Sequence, residues 1–429
     1  MKALALIDGE HYVDVVRAAF AETTYDVVGA VMLGGTEKLR GEADYGVPLF
    51  DELDKGLAET EPQVVLDLSD EPVLDARRRF RVASRVLAAG LPYVGADFRF
   101  DPVEFEPFAL PSLAIIGSGK RVGKTAVAGH VARLLSRSRE VVVVAMGRGG
   151  PSEPVVTEAD PTMEDLLALS RAGTHAASDY LEDAALARVV TVGARRCGGG
   201  LAGAPFVSNV SAAARLAASL EPDLVLFEGS GAAFPPIETG RRVLVAGAGQ
   251  DPENVAGYLG AYRLLLSDLV ILTNCEEPLA TPEGSERLRA AIEDVKPGLP
   301  VFETILRPKP VTDVKGRKVA YFTTAPEAIH ERLRKHLEDE HGAKVTLVSG
   351  NLARRKELRA ELESDEARGA DVFLIELKAA AVDVVAEAAS ESETSVVLCD
   401  NEVRSVGGGE LDSALEGLAD AVAGERVPA

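Results

Sequence analysis

The segment 113–125 constrains this chain more than any other part of its sequence. It reads Leu-Ala-Ile-Ile-Gly-Ser-Gly-Lys-Arg-Val-Gly-Lys-Thr, an apolar run that ends in a glycine-containing loop, and helical spacing follows it. Gly-Lys-Thr at a helix start is how proteins bind a nucleoside triphosphate, because backbone N–H groups and the helix N-terminus face the phosphates. We expect Lys124 to reach the β- and γ-phosphates from an exposed loop, and the Thr125 hydroxyl to bind Mg²⁺.

The glycines of this loop depart from the usual spacing. The position five residues before Gly123 ordinarily holds glycine, but here it holds Ser118, and Gly117 lies one place earlier. Without a gap, the loop resembles the pattern G-T-D-T-x-V-G-K-T of dethiobiotin synthetase. The residues predicted to bind the nucleotide are Gly117, Ser118, Gly119, Val122, Gly123, Lys124 and Thr125. The alternative is a strand–turn–helix that binds no ligand.

Charge and cysteine content restrict the class of protein. The 429 residues carry a formal net charge of −22, from 68 acidic and 46 basic residues. This charge argues against nucleic acid or an anionic membrane as the main partner, and any anion site must be built from clustered cations. No apolar run reaches the length of a membrane span, and the N-terminus lacks the features of a signal peptide. Three scattered cysteines without metal-ligand or disulfide spacing favour the cytoplasm.

Apolar runs alternate with helical segments along the whole chain, which predicts an α/β fold. We predict a central parallel-sheet P-loop NTPase domain at residues 109–305, flanked by smaller α/β domains at 1–108 and 306–429. Runs such as 141–145 are apolar throughout, as is typical of a parallel sheet covered on both faces. Ligands bind at the carboxyl ends of the strands in such sheets. The C-terminal domain carries no motif that indicates a function.

Two later strand ends carry polar residues that suit a nucleotide site. Glu228 ends the run 223–228 and precedes Gly-Ser-Gly, which resembles V-E-G-A-G-G of dethiobiotin synthetase, so its carboxylate is expected to bind Mg²⁺. Asn274 follows another strand, and its amide can pair with the adenine edge. ATP is the expected nucleotide, and GTP stays open. The alternative is an acidic strand end that caps a turn at Glu228, and a plain turn at Asn274.

Other polar residues after strands are candidates for binding a second anion. Arg148 lies in Gly-Arg-Gly-Gly-Pro, and Arg195 and Arg196 precede three glycines, which suits an anion nest. A β-turn with a solvated arginine is the alternative at Arg148. His175 precedes the segment 178–183, where Ser178 can cap a helix and acids fill its first turns, so capping explains those acids without a function.

The turn after the first strand adds Asp8, Glu10 and His11. These residues either present polar groups to a substrate or form a turn with helix-capping acids. We take them, with His175, as candidate substrate ligands.

Together these segments resemble the cyclic 2,3-diphosphoglycerate synthetase family over most of the chain. The resemblance rests on residues 6–12, 116–125, 146–151, 175–183, 196–203 and 228–231. It implies that ATP drives the closure of 2,3-diphosphoglycerate into a ring with an internal phosphoanhydride, with release of ADP and phosphate. It also implies a magnesium-dependent ligase that needs no protein nucleophile.

The physical difficulty of this reaction is charge. Two unit charges 4 Å apart repel by about 4 kcal/mol at an effective dielectric constant of 20. The cations expected to neutralise this repulsion are Lys120, Arg121, Lys124, Arg148, Arg195 and Arg196. Lys124 is assigned to the ATP tail, and Lys120 and Arg121 to the boundary between nucleotide and substrate. Arg148, Arg195 and Arg196 are assigned to the substrate phosphates. Lys120, Arg121, Lys124 and Arg148 are the catalytic candidates.

Two other functions stay open from the sequence. One is an ATP-dependent kinase that phosphorylates a phosphoglycerate, which would bind similar ligands and release a different product. The other is a regulatory P-loop nucleotide switch, although such proteins usually carry metal-binding Cys/His clusters or a membrane-targeting tail, and neither is evident here. A homodimer stays open as the assembly for each of these functions.

Overall fold

A computed structural model describes residues 1–35, 37–38, 44–173, 175–176, 178–408 and 410–424 of the chain. Its first elements are β1 (Lys2–Ile7), α1 (Val13–Glu22), β2 (Asp26–Met32), β3 (Leu49–Phe50), α2 (Leu53–Thr60), β4 (Val64–Asp67), α3 (Ala76–Ala88), β5 (Tyr93–Val94) and β6 (Arg99–Phe100). The middle of the chain forms β7 (Ser112–Gly117), α4 (Lys124–Leu135), β8 (Val141–Gly147), β9 (Val155–Thr157), α5 (Met163–Arg171), α6 (Asp179–Glu182), a π-helical turn (Asp183–Ala187), β10 (Val190–Cys197), β11 (Val207–Ser208), α7 (Val210–Ala218), β12 (Leu224–Glu228), β13 (Arg241–Gly247), α8 (Pro252–Ala256), α9 (Gly260–Leu265), β14 (Leu269–Thr273), α10 (Pro282–Val295) and β15 (Val301–Pro310). The last part forms β16 (Lys318–Phe322), a 3₁₀ turn (Glu327–Ile329), α11 (His330–His341), β17 (Lys344–Ser349), α12 (Arg355–Leu362), α13 (Asp365–Arg368), β18 (Val372–Glu376), a π-helical segment (Ala381–Ala386), α14 (Glu387–Glu391), β19 (Ser395–Ser405) and α15 (Leu411–Gly424).

The chain divides into two compact units. The first comprises Met1–Val103, Asp251–Leu266 and Ala291–Pro297. Its sheet has the strand order β3-β2-β1-β4-β5-β6 and is parallel except between β5 and β6. All four residues of β4 are buried, as expected for a parallel strand covered on both faces.

The second unit comprises Glu104–Gln250, Ser267–Ala290 and Gly298–Ala429. Its sheet has the order β11-β10-β8-β12-β7-β13-β14-β15-β19-β18-β16-β17, and β9 pairs with β10. Every residue of β7, β8, β12 and β14 is buried, because helices cover both faces of these parallel strands. The predicted α/β class is confirmed.

One strand reverses the direction of the sheet in the second unit. β15 runs parallel to β14 over its first residues and then pairs antiparallel with β19, with Thr304 opposite Ser405 and Pro310 opposite Cys399. β18 and β16 continue parallel to β19. The strands of the C-terminal part therefore run against those of the P-loop part, and the carboxyl ends of the two sets face each other.

The core of the second unit holds the P-loop helix in place. Val127, Val131 and Leu135 of α4 pack in one buried cluster with Leu113 and Ile115 of β7. Because the helix is fixed against the sheet, the loop that joins β7 to α4 has a fixed position at the sheet edge. No helix in the described part of the chain is long and apolar enough to cross a membrane.

Candidate active site

A cavity of about 1170 Å³ lies between the two facing sets of strand ends. Its first wall includes residues 119–125, Arg148, Ser230, Gly231, Gln250 and Asn274. Its opposite wall includes Thr324, His330, Asn351, Arg354, Glu376 and Lys378 from the C-terminal part of the chain. The volume is sufficient for a nucleotide together with a small polyanion.

Close backbone approach explains the unusual position of the first loop glycine. A Cβ atom at Gly117 would lie 2.5 Å from the carbonyl oxygen of Gly231, so only glycine fits there. Ser118 donates a hydrogen bond through Oγ to Gln250 Oε1 at 2.6 Å, and Thr273 donates through Oγ1 to the Val122 carbonyl at 2.8 Å. Gln250 was missed in the sequence, although it follows a predicted strand. These contacts fix the shape of the P-loop.

Lys124 does not lie on an exposed loop, and that expectation was wrong. Its side chain is 8% exposed and forms an ion pair with Glu228, which is 1% exposed at the end of β12. The turn that contains Gly231 covers the loop, which is why the lysine is buried. Burial opposes its charge, but the carboxylates of Glu228 and Asp179 outweigh burial and raise the pKa of Lys124. Glu228 Oε2 has no hydrogen-bond partner among the described residues.

A cluster of buried acids beside this ion pair was not predicted. Ser178 occupies the N-cap position of α6, but its hydroxyl donates to the His175 carbonyl at 2.9 Å and does not cap the helix. Glu182 and Asp183 are 6% and 2% exposed, so helix capping in solvent does not account for them. Burial raises the pKa of Asp179, of Glu182 and of Asp183. Ala177, which lies in the predicted segment 175–183, is outside the described residues.

Protonation of Glu182 is expected to make the stability of the protein depend on pH. Burial raises the pKa of Glu182 to about 8, so the folded state binds a proton that the unfolded state releases above the ordinary glutamate value. The contribution of Glu182 to stability therefore falls as the pH rises from about 4.5 to about 8, by at most about 1.4 kcal/mol per pH unit. Urea unfolding of the wild type and Glu182→Gln from pH 5 to 9 measures this difference. Parallel stability curves for the two proteins would contradict the expectation.

The predicted arginines lie in different environments. Arg148 is exposed and lines the cavity. Arg196 folds over the turn after β12, where its guanidinium donates to the Ser230 carbonyl at 2.9 Å, and burial together with the charge of Arg148 lowers the pKa of Arg196. Arg195 donates through Nε to the Ser152 carbonyl at 3.1 Å and is not among the described residues that line the cavity. Arg148 therefore lines the cavity, Arg196 lies against the turn at Ser230 without being among the described lining residues, and Arg195 is held at Ser152.

The other candidate residues in the second unit either line the cavity or lie outside its described lining. Lys120 and Arg121 are exposed on the loop and line the cavity. Asn274 also lines it, with a φ of 58° that turns the backbone sharply after β14. The ring of His175 lies against Gly149, where an added Cβ would be 2.9 Å from Cδ2, and His175 is not among the described cavity residues.

Asp8, Glu10 and His11 belong to the first compact unit, where they form a hydrogen-bonded turn. Asp8 is buried, and its Oδ1 accepts from the Glu10 backbone N–H at 3.0 Å and lies 2.8 Å from His11 Nδ1. Its Oδ2 accepts from the Asp70 backbone N–H at 2.6 Å. These bonds account for the buried carboxylate locally, and a role in substrate binding stays a prediction.

The C-terminal wall of the cavity was missed entirely. Glu376, at the end of β18, accepts hydrogen bonds at Oε1 from Tyr321 Oη at 3.1 Å, from Thr323 Oγ1 at 2.7 Å and from Asn401 Nδ2 at 3.2 Å. Lys378 follows it, and its Nζ lies 3.3 Å from Glu182 Oε1. A signal was present in the sequence, since these polar residues directly follow a predicted strand.

Comparison with known families decides the relationship of this chain. Models for the N-terminal, P-loop and C-terminal domains of cyclic 2,3-diphosphoglycerate synthetase match residues 2–101, 112–305 and 310–402. The chain belongs to the cyclic 2,3-diphosphoglycerate synthetase family. It is 52% identical over 436 residues to the cyclic 2,3-diphosphoglycerate synthetase of Rubrobacter xylanophilus, covering 98% of each chain. It is 44% identical over 425 residues to that of Methanothermus fervidus, covering 93% of this chain and 92% of the relative.

Membership of the cyclic 2,3-diphosphoglycerate synthetase family confirms the resemblance seen in the sequence and makes the chain an enzyme with a P-loop domain. Among solved structures, the chain is similar to LpxK from Aquifex aeolicus in complex with ATP. The alignment has a TM-score of 0.44 and 14% identity, and covers 81% of this chain and 95% of that chain.

Proposed function

We propose that this enzyme uses ATP to close 2,3-diphosphoglycerate into its cyclic phosphoanhydride, with release of ADP and inorganic phosphate. The observation that carries the proposal is one cavity that joins a P-loop to exposed cations in a chain with a net charge of −22. Lys120, Arg121 and Arg148 line this cavity together with Lys124. Such clustering supplies the positive potential that a second polyanion beside ATP requires.

The P-loop wall supports the ATP and Mg²⁺ assignments. The triphosphate would lie over the N-terminus of α4 beside Lys124, and the Asn274 amide would pair with the adenine edge. Among the described residues no three carboxylate, histidine or cysteine side chains form a metal site by themselves. Thr125 lines the cavity, and Glu228, which is not among the described lining residues, has an Oε2 atom without a hydrogen-bond partner. These two groups nevertheless fit Mg²⁺, which commonly takes one or two protein ligands and completes its shell with phosphates and water. When bound, Mg²⁺ would neutralise charge on the ATP tail.

The chemistry needs two displacements at phosphorus. First, an oxygen of one substrate phosphate attacks the γ-phosphorus of ATP, and ADP leaves. Then an oxygen of the other substrate phosphate attacks the activated phosphate, and inorganic phosphate leaves as the ring closes. Arg148, with Arg196 near it, would hold the substrate phosphates, and the shared carbon skeleton gives the second step a high effective concentration. The protein contributes positioning and charge neutralisation.

The product distinguishes this proposal from the alternatives. We expect ³¹P NMR of a reaction containing ATP, Mg²⁺ and 2,3-diphosphoglycerate to show mutually coupled diphosphate signals from the cyclic product, with one ADP formed per ring. In a parallel reaction that starts from a monophosphorylated glycerate, a product with two monoester signals would instead indicate a kinase. ATP turnover that 2,3-diphosphoglycerate does not stimulate would favour a regulatory nucleotide switch and contradict the proposal.

Further predictions from the sequence remain part of this proposal. They are the domain boundaries 1–108, 109–305 and 306–429, substrate contacts from His175, Arg195, Asp8, Glu10 and His11, and a cytoplasmic location without a nucleic-acid or membrane partner. A homodimer is also proposed. The choice of ATP over GTP rests on Asn274.

A further inference from the structure

Lys378 is a cation of the cavity that none of the assignments above uses. It lies directly after β18, on the wall opposite the P-loop, and its side chain is 29% exposed. Its Nζ lies 3.3 Å from Glu182 Oε1, and Glu182 belongs to α6 on the P-loop side of the cavity. Lys378 thus extends from the C-terminal wall toward the acids that neighbour Lys124.

The carboxylates around Lys378 leave much of its hydrogen-bonding capacity unused. Glu376 accepts three hydrogen bonds at Oε1, and its Oε2 accepts from the Thr324 backbone N–H at 3.2 Å, so both oxygens are engaged. A lysine ammonium has three donors, and Glu182 occupies one of them. Burial opposes the charge of the Lys378 ammonium, but the Glu182 and Glu376 carboxylates outweigh burial and raise the pKa of Lys378, so this side chain is a cation when it meets a phosphate.

Asp179 lines the cavity and belongs to α6 together with Glu182, the carboxyl group that Lys378 contacts. Burial and the Glu228 carboxylate raise the pKa of Asp179, whereas the charges of Lys124, Lys378 and Arg148 all act to lower it. The three cations therefore act on one carboxylate that lines the cavity. The 3.3 Å contact with Glu182 places Lys378 on the side of the cavity where α6 lies, and the charges of Lys124 and Lys378 both act on Asp179 there.

We propose that Lys378 binds a phosphate of the substrate from the wall opposite the P-loop, an inference that rests on the proposed function. The cations of the P-loop wall alone would draw the whole polyanion to one side of the cavity. In-line transfer requires the substrate phosphate to be held across from the γ-phosphate, with the reacting atoms about 3–3.5 Å apart. A cation on the opposite wall supplies that hold, and it gives the C-terminal part of the chain a direct role in the reaction.

Kinetics of full-length Lys378→Met test this inference. We expect KM for 2,3-diphosphoglycerate to rise about 30-fold and KM for ATP to change by less than about threefold, because a charge-assisted hydrogen bond to substrate is lost. Isothermal titration of 2,3-diphosphoglycerate without ATP should show the same loss of affinity. Lys378→Arg should restore most of the binding, since it keeps the positive charge.

Glu182→Gln is the matched control for a structural role. Measured at pH 9, where the Glu182 carboxyl group is largely ionised, it removes the ion pair to α6 and keeps the Lys378 ammonium, so substrate affinity should be retained or improved. If Lys378 only tethers the C-terminal part to α6, Lys378→Met and Glu182→Gln will have the same effect, and KM for 2,3-diphosphoglycerate will not change selectively. That result would overturn the inference.

Two further measurements separate the possible failures. If Lys378→Met does not fold, the Lys378→Met, Glu182→Gln double variant leaves no unpaired charge at this position and undergoes the same titration. Formation of the cyclic product by the wild type is measured independently by ³¹P NMR. If the wild type makes no cyclic product, the proposed function is refuted. If the wild type makes the cyclic product and Lys378→Met binds 2,3-diphosphoglycerate as tightly as the wild type does, only the role of Lys378 is refuted.

Discussion

Lys124→Met is expected to lower ATP turnover by about 10³-fold and to destabilise the protein at the same time. The loss of turnover follows from removal of a preorganised cation at the transferring phosphoryl group. The loss of stability follows from burial, because Glu228 is 1% exposed and would keep a charge without its partner. Breaking such a pair costs about 3–5 kcal/mol. Steady-state kinetics and urea unfolding measure the two effects.

A double variant separates these two effects of Lys124. Lys124→Met with Glu228→Gln replaces the buried ion pair by neutral groups, so stability should return to within about 1–2 kcal/mol of the wild type. Turnover should stay low, since neither the cation nor the carboxylate expected to bind Mg²⁺ is restored. Recovery of turnover with stability would show that the pair has a structural role only, and the P-loop assignment would be wrong.

Arg148→Ala is expected to lower kcat/KM for 2,3-diphosphoglycerate by about 100-fold while the protein keeps its stability. Arg148 is exposed and lines the cavity, so its removal costs phosphate binding and little packing. KM for ATP should change by less than about threefold, and Arg148→Lys should recover only part of the loss because it lacks the planar fork of donors. Initial-rate kinetics with each ligand varied in turn measure the effect.

Arg171→Ala is the matched control for Arg148→Ala. Arg171 is exposed in the same compact unit, pairs with Glu387 at 3.0 Å and is not among the described residues that line the cavity. It should leave both KM values unchanged. An equal loss in the two variants would mean that general surface charge attracts the substrate, and a larger effect of Arg148→Ala on ATP would contradict the assignment of Arg148 to substrate.

Much of the central sheet could be predicted because its strands are buried on both faces. Continuous apolar runs led to β7, β8, β12 and β14, and the polar residues that follow them, such as Glu228 and Asn274, were recognised as candidates. The parallel topology places these polar residues close together, since the carboxyl ends of parallel strands meet at one edge of the sheet. Local pattern and global fold agree here, which is why the P-loop wall was predictable.

The opposite wall depends on pairing between distant parts of the chain. Thr304 pairs with Ser405, and no local pattern indicates that β15 and β19 run antiparallel. That pairing turns the C-terminal strand ends toward the P-loop and brings Glu376 and Lys378 into the cavity. The burial of Lys124 was missed for a similar reason, because the turn that covers it comes about a hundred residues later in the chain.

The most direct test of this account is a crystal structure with a non-hydrolysable ATP analogue, Mg²⁺ and 2,3-diphosphoglycerate. The account predicts both ligands in the one cavity, with a substrate phosphate oxygen about 3–3.5 Å from the γ-phosphorus and in line with the leaving oxygen. Arg148 and Lys378 should contact the substrate phosphates from opposite walls. Substrate bound outside the cavity, or with its phosphates turned away from the nucleotide, would contradict the central claim.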